Sequence, residues 1–148
     1  MGGAGDGGRT VSTLFKYLDV SLLPPFEDAF VGTIRPGISD ERELLIAVAD
    51  ALRFPSYFGE NYNALYDCLR DLQWIDTRMV VLVHVDLPQI SADGLKVYLE
   101  ILRDSASDWE FDAERELVVV FDASKEGLIE RALGLEGMTM PAGHFKGS

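Results

Sequence analysis

The sequence predicts one α/β domain built on a three-stranded parallel sheet packed with helices. Stretches with strand-like composition alternate with stretches that repeat apolar residues at helical spacing, which is typical of parallel sheets with helical crossovers. Residues 79–85 (MVVLVHV) form a nearly continuous apolar, mostly β-branched run, as expected of a strand buried on both faces. The length of 148 residues is that of a single domain.

Residues 1–27 are predicted to form an N-terminal extension. Its first eight residues hold five glycines, which predicts a flexible start. A short helix is expected over residues 10–18, capped by Thr10 and stopped by the Pro24-Pro25 pair. Its apolar residues recur at i, i+3, i+4 and i+7, namely Val11, Leu14, Phe15 and Leu18.

The predicted domain covers residues 28–122 and begins with a strand over Ala29–Ile34. A helix follows over residues 40–52, where Asp40 and Glu43 have capping-box spacing. Further helices are expected over residues 61–72 and, capped by Ser91, over residues 91–106. The last strand is expected over residues 117–121, and the C-terminal extension, residues 123–148, contains a helix-like piece over residues 128–133.

The helix over residues 61–72 carries two opposed stripes. One stripe is apolar and predicts burial of Leu65, Leu69 and Leu72. The other is polar and aromatic, with the members Asn63, Tyr66, Asp67, Arg70 and Asp71, and the loop before it adds Tyr57 and Phe58. Carboxylates rimmed by aromatic side chains suit a cationic protein surface. An ordinary amphipathic helix is the alternative.

A second acidic position lies at the end of the helix over residues 91–106. Asp104 and Asp108 are one helical turn apart, and carboxylates near a helix C-terminus oppose its macrodipole. Such a local conflict is expected where function requires it, although plain surface charge explains it as well.

The overall charge favours a protein partner over a nucleic acid. With 13 basic and 25 acidic residues, the formal net charge is −12. Such a field repels phosphate backbones, so direct nucleic-acid binding is not expected, whereas basic proteins are attracted. Solubility alone would also account for this acidity.

The composition does not favour an enzyme, a metal-binding protein or a membrane protein. The single cysteine, Cys68, and two distant histidines, His84 and His144, predict no zinc site, and no phosphate loop is present, so no cofactor is expected. A small carboxylate hydrolase stays a remote alternative. Apolar runs are far shorter than a membrane span, and the glycine-rich start lacks a secretory signal, so we expect a cytoplasmic protein.

A motif in and before the helix over residues 61–72 resembles the signature of the barstar family of ribonuclease inhibitors. Its parts are Tyr57-Phe58-Gly59-Glu60-Asn61, then Ala64-Leu65, then Asp67-Cys68-Leu69. The order of predicted strands and helices over residues 28–122 is similar to that family's as well. The resemblance implies a barstar-like fold, with a loop and helix that plug the active site of a ribonuclease.

The resemblance also implies roles for individual residues. Asp67 matches the central aspartate, which mimics the substrate's phosphate and faces the nuclease's catalytic arginine and histidine groups. Tyr57 matches an aromatic residue that stacks near the catalytic histidine. Asp104 and Asp108 match two glutamates of a later helix.

Other positions depart from the family pattern. Asn63 stands where the family's namesake has an aspartate, and Tyr66 where it has a tryptophan. Arg70, Asp71 and Leu72 replace a Thr-Gly-Trp run. Arg70 places a positive charge towards a cationic partner, so the target is expected to differ from barnase.

From these observations we predict an intracellular inhibitor of the immunity or antitoxin type. It would bind a basic extracellular-type ribonuclease or nuclease toxin and block the active site sterically and electrostatically, without catalysis. The alternative is an interaction module of the same fold whose partner is not a nuclease.

Overall fold

A four-stranded parallel sheet is the centre of the molecule. The computed structural model describes residues 15–56, 58–110 and 114–134. Within them the strands are β1 (Phe15–Leu18), β2 (Ala29–Ile34), β3 (Met79–His84) and β4 (Glu116–Asp122), arranged in the order β1-β4-β3-β2. The predicted α/β fold with a parallel sheet is confirmed, with one strand more than the three expected.

The additional strand, β1, corrects the helix predicted over residues 10–18. Residues 10–14 lie outside the described residues, but Phe15–Leu18 pairs in parallel with β4, in a register that sets Phe15 beside Val119. An edge strand with apolar residues on both faces reproduces a helix-like spacing over so short a stretch. Phe15 and Tyr17 contact one core, whereas Leu18 contacts the other.

The described residues contain four α-helices, and side chains cap three of them, two at residues for which the sequence predicted a cap. Helix α1 (Glu41–Leu52) begins at Asp40, whose Oδ1 accepts the Glu43 N–H at 2.7 Å. Glu43 Oε1 in turn accepts the Ser39 N–H at 2.9 Å. Helix α4 is short, over Glu126–Ala132, within the predicted C-terminal extension.

Helices α2 and α3 also begin at residues whose side chains accept a capping hydrogen bond. The side chain of Asn61 accepts the Ala64 N–H at 2.8 Å, and α2 extends over Tyr62–Asp71. Ser91 Oγ accepts the Gly94 N–H at 3.0 Å, and α3 extends over Ala92–Glu110, four residues beyond the expected end. This extra turn carries α3 past Asp108.

The two faces of the sheet are covered differently. All four helices contribute to the larger core, against strand residues such as Val80, Leu82 and Val119. The other face, which includes Val81 and Val118, is covered by the segment between β1 and β2. The central strands are therefore buried on both sides, as the β-branched run over residues 79–85 predicted.

Gly32 sets the distance between β2 and α1. A Cβ atom at this position would lie 2.5 Å from the Ala51 carbonyl oxygen, which is far inside van der Waals contact. Only glycine lets the helix backbone approach the strand this closely. None of the helices in the described part of the chain is both long and apolar enough to cross a membrane.

Candidate functional site

Helices α2 and α3 lie side by side and run in the same direction. Near their starts, the Tyr62 hydroxyl donates to the Gly94 carbonyl at 3.4 Å, and near their ends Arg70 contacts Asp108. Both C-termini therefore lie at the same end of the molecule. Each helix C-terminus carries a partial negative charge, so this end attracts cations before any side chain is considered.

The predicted stripes of α2 are oriented as expected. Leu65, Leu69 and Leu72 are fully buried in the main core. Of the polar stripe, Asn63, Asp67 and Arg70 are exposed, and Tyr66 and Asp71 are half-buried. Tyr57 lies outside the described residues. Of the two aromatic residues in the loop before α2, the structure therefore describes only Phe58.

An open groove separates the ends of the two helices. Its volume is about 470 Å³, and its described lining consists of Asp67, Arg70, Asp71, Asp108 and Trp109. Three of these five side chains are carboxylates. The groove thus unites the acidic stripe of α2 with Asp108 near the end of α3.

Asp67 and Asp71 are the carboxylates of this groove that remain available to bind a partner. Neither makes a hydrogen bond or an ion pair with any residue that the structure describes. Both raise the pKa of the neighbouring Cys68 thiol, after the larger effect of its burial. Cys68 is therefore a packed, protonated side chain beneath two negative charges.

The two candidate carboxylates of α3, Asp104 and Asp108, are bound by arginines of the chain itself. Arg70 Nε lies 2.8 Å from Asp108 Oδ2, and the Arg70 guanidinium lies 4.8 Å from the centroid of the Tyr66 ring. The Tyr66 hydroxyl donates to the same Asp108 oxygen at 3.4 Å. Asp104 pairs with Arg103 at 3.3 Å and is not among the described lining of the groove.

Trp109 is the residue of the groove that the sequence interpretation missed. Its indole Nε1–H donates to the Leu69 carbonyl at 2.8 Å and so fastens the end of α3 to α2. A signal was available, because Ala106 and Trp109 continue the apolar spacing of Leu102 at i+4 and i+7.

Of the two histidines considered in the sequence, His84 lies within the core and His144 lies outside the described residues. His84 is fully buried between Tyr98 and the Val120 carbonyl. Among the described residues, no group of three or more histidine, cysteine, aspartate or glutamate side chains is arranged to hold a metal ion. The chemistry of the groove is that of charge, hydrogen bonding and aromatic contact.

The family model described as "Barstar (barnase inhibitor)" matches residues 31–122, which is more than half of the chain. The chain belongs to the barstar family. The resemblance noted in the sequence is thereby confirmed, together with the fold. No curated protein matches the chain.

Family membership also gives the groove a context. The barstar family is described by inhibition of barnase, a ribonuclease, so its general mode of action is the binding of a protein partner. The matched range contains all of α2 and α3, and with them every described residue of the groove.

Proposed function

We propose that this barstar-family protein inhibits a basic ribonuclease by binding it one to one and covering its active site. It would act in the cytoplasm as an immunity protein against a nuclease toxin or an extracellular-type ribonuclease. The single cysteine suits a reducing compartment, since no intramolecular disulfide can form. The protein itself would do no chemistry, and neither nucleic acid nor a cofactor would be needed.

The observation that carries this proposal is the pair of unpaired carboxylates in the groove. Asp67 and Asp71 lie beside two helix C-termini, and neither forms an ion pair with a described residue, since Arg70 of the same groove is paired with Asp108. Such a site gains free energy when a partner supplies positive charge and excludes water. A site that cleaves RNA provides this charge, because it binds phosphates.

The proposed mechanism is substrate mimicry centred on Asp67. The carboxylate takes the place of a substrate phosphate against the cationic groups of the nuclease. Trp109 and Tyr66 provide rigid aromatic contact area around it, and Tyr57 would add to them from the loop before α2. Asn63 extends the contact by hydrogen bonding, and Asp108 holds Arg70 in the groove, whereas Asp104 lies towards the rim.

Titration of basic ribonucleases from the native host tests this proposal. Cleavage of a fluorescent RNA should fall linearly with added protein and stop at one equivalent. Asp67→Asn should weaken inhibition by about 30-fold or more, since removing the charge of a desolvated anchor costs about 2 kcal/mol or more. The matched control is Asp50→Asn, an identical charge change at an exposed position of α1.

Two outcomes would refute the proposal. If the protein captures a host protein but never reduces RNA cleavage, it is an interaction module with another kind of partner. If Asp67→Asn and Asp50→Asn inhibit equally well, Asp67 is not the anchor of the complex.

A further inference from the structure

Arg70 is a fixed positive charge inside an otherwise acidic surface. Its guanidinium is held from two sides, by Asp108 at 2.8 Å and by the face of the Tyr66 ring at 4.8 Å. Despite these contacts, 49% of the Arg70 side chain is exposed. The arginine is therefore immobilised and still accessible to a partner.

A fixed guanidinium has a particular recognition chemistry. It is always charged, and its planar fork of donors matches a carboxylate, whereas it repels another cation. Because Arg70 lines the same groove as Asp67 and Asp71, a partner that fills the groove must meet all three side chains together. Such a partner has to present positive and negative groups in a matching order.

We infer that Arg70, positioned by Asp108 and Tyr66, determines which ribonuclease this protein accepts. It admits a nuclease that sets a carboxylate opposite Arg70 and cations opposite Asp67 and Asp71. It excludes nucleases whose contact face is cationic throughout, since one repulsive element suffices to reject a competing partner. This inference rests on the function proposed above.

Arg103 offers a matched comparison for this role. It lies on α3, pairs with Asp104 at 3.3 Å as Arg70 pairs with Asp108, and is not part of the described groove lining. Replacing either arginine by glutamine removes one positive charge and frees one carboxylate. The two variants therefore change the net charge equally but differ at the contact surface.

Barnase, the ribonuclease in the family's description, is the probe for the test. Its binding is measured by stopped flow and calorimetry with the wild type, Arg70→Gln and Arg103→Gln. Arg70→Gln should bind barnase about tenfold or more tightly than the wild type, and Arg103→Gln less than about threefold more tightly. Asp108→Asn, which leaves Arg70 without its counter-charge, should weaken binding, and adding Arg70→Gln should reverse that loss.

Equal gains in the two arginine variants would overturn the inference, because net charge alone would then explain them. Weaker binding or none with Arg70→Gln would overturn it as well. Either result leaves the proposed function intact as long as the wild type inhibits a host ribonuclease one to one. Conversely, a wild type that inhibits no ribonuclease refutes the proposed function even if Arg70→Gln binds barnase. Thermal unfolding of each variant verifies that it is folded.

Discussion

His84 is a neutral histidine sealed in the core at the end of β3. Its Nδ1–H donates to the Val120 carbonyl at 3.1 Å, and its Nε2 accepts the Tyr98 hydroxyl at 2.6 Å. The ring also stacks on Phe121 at a centroid distance of 4.2 Å. Burial lowers the pKa of His84 to about 4, although the bond to Val120 opposes part of this change.

This lowered pKa predicts a loss of stability in mild acid. In the unfolded chain histidine takes up a proton near pH 6.5, whereas folded His84 does so only near pH 4. The free energy of unfolding should therefore be highest above pH 6.5 and should fall by about 3 kcal/mol as the pH drops to 4. Urea unfolding at several pH values measures this loss.

An NMR titration of the His84 imidazole protons measures the same pKa independently. Their chemical shifts should not change with pH above pH 5. A His144→Gln variant removes the signals of the second histidine and simplifies the assignment. A folded-state titration of His84 near pH 6.5 would contradict the burial of the neutral ring.

At the residue scale, the sequence placed side chains on helix faces but did not pair them across helices. The 3.6-residue period alone brought Asn63, Tyr66, Asp67 and Arg70 to one face of α2. The contact of Arg70 with Asp108 depends on how far α3 extends and on the register in which the two helices pack. Neither quantity is encoded in the spacing of one helix, so the contact of Arg70 with Asp108 could not be predicted from the sequence.

At the element scale, two tryptophans perform similar structural tasks in different places. Trp109 donates to the Leu69 carbonyl at the end of α2, and Trp74 donates to the Leu52 carbonyl at the end of α1, both at 2.8 Å. Only Trp109 also lines the acidic groove. Substitutions at these two tryptophans therefore distinguish the loss of a hydrogen bond at a helix end from the loss of contact with a partner.

Trp109→Phe and Trp74→Phe should each lower the free energy of unfolding by about 1–2 kcal/mol. Each change removes one hydrogen bond and leaves a carbonyl without its donor. Only Trp109→Phe should also weaken inhibition of the host ribonuclease, because it alters the wall of the groove. Denaturation curves and RNA-cleavage assays measure the two effects, and an equal loss of inhibition in both variants would contradict the assignment of the groove.

Strand β1 is the element that the sequence misidentified. The capped helices were predictable because their apolar residues recur at helical spacing over several turns. Strand β3 was predictable because its β-branched run is continuous over six or more residues. Over Phe15–Leu18 only four residues are available, and apolar side chains on both faces remove the alternation that identifies a strand. Pairing with β4 settles the conformation, and that is a tertiary interaction.

Phe15→Ala measures how strongly β1 contributes to the folded unit. Phe15 is 6% exposed and packs edge-to-face on Phe121 at 5.1 Å, so its removal should cost about 3 kcal/mol or more. Lys16→Ala, on the exposed position next to it, should cost less than about 0.5 kcal/mol. Equal costs would mean that the packing of Phe15 on Phe121 adds nothing to the stability of the domain.

At the scale of the whole molecule, charge and anchor should act on different steps of binding. The net charge of −12 creates a field that reaches beyond the contact surface and accelerates the approach of a basic partner. Contacts inside the groove are made only after docking and should control dissociation. Asp104 lies outside the described groove lining and Asp67 within it, so these two aspartates separate the steps.

Stopped-flow kinetics with the inhibited host ribonuclease should therefore show two kinds of salt dependence. For the wild type, the association rate constant should fall about tenfold or more when salt shortens the Debye length from about 30 Å to about 3 Å. Asp104→Asn should slow association only at low salt, since screening removes its contribution. Asp67→Asn should speed dissociation at both ionic strengths, because a desolvated ion pair is screened little. If Asp104→Asn speeds dissociation while Asp67→Asn leaves it unchanged, the anchor lies at the end of α3, and α2 supplies only the field.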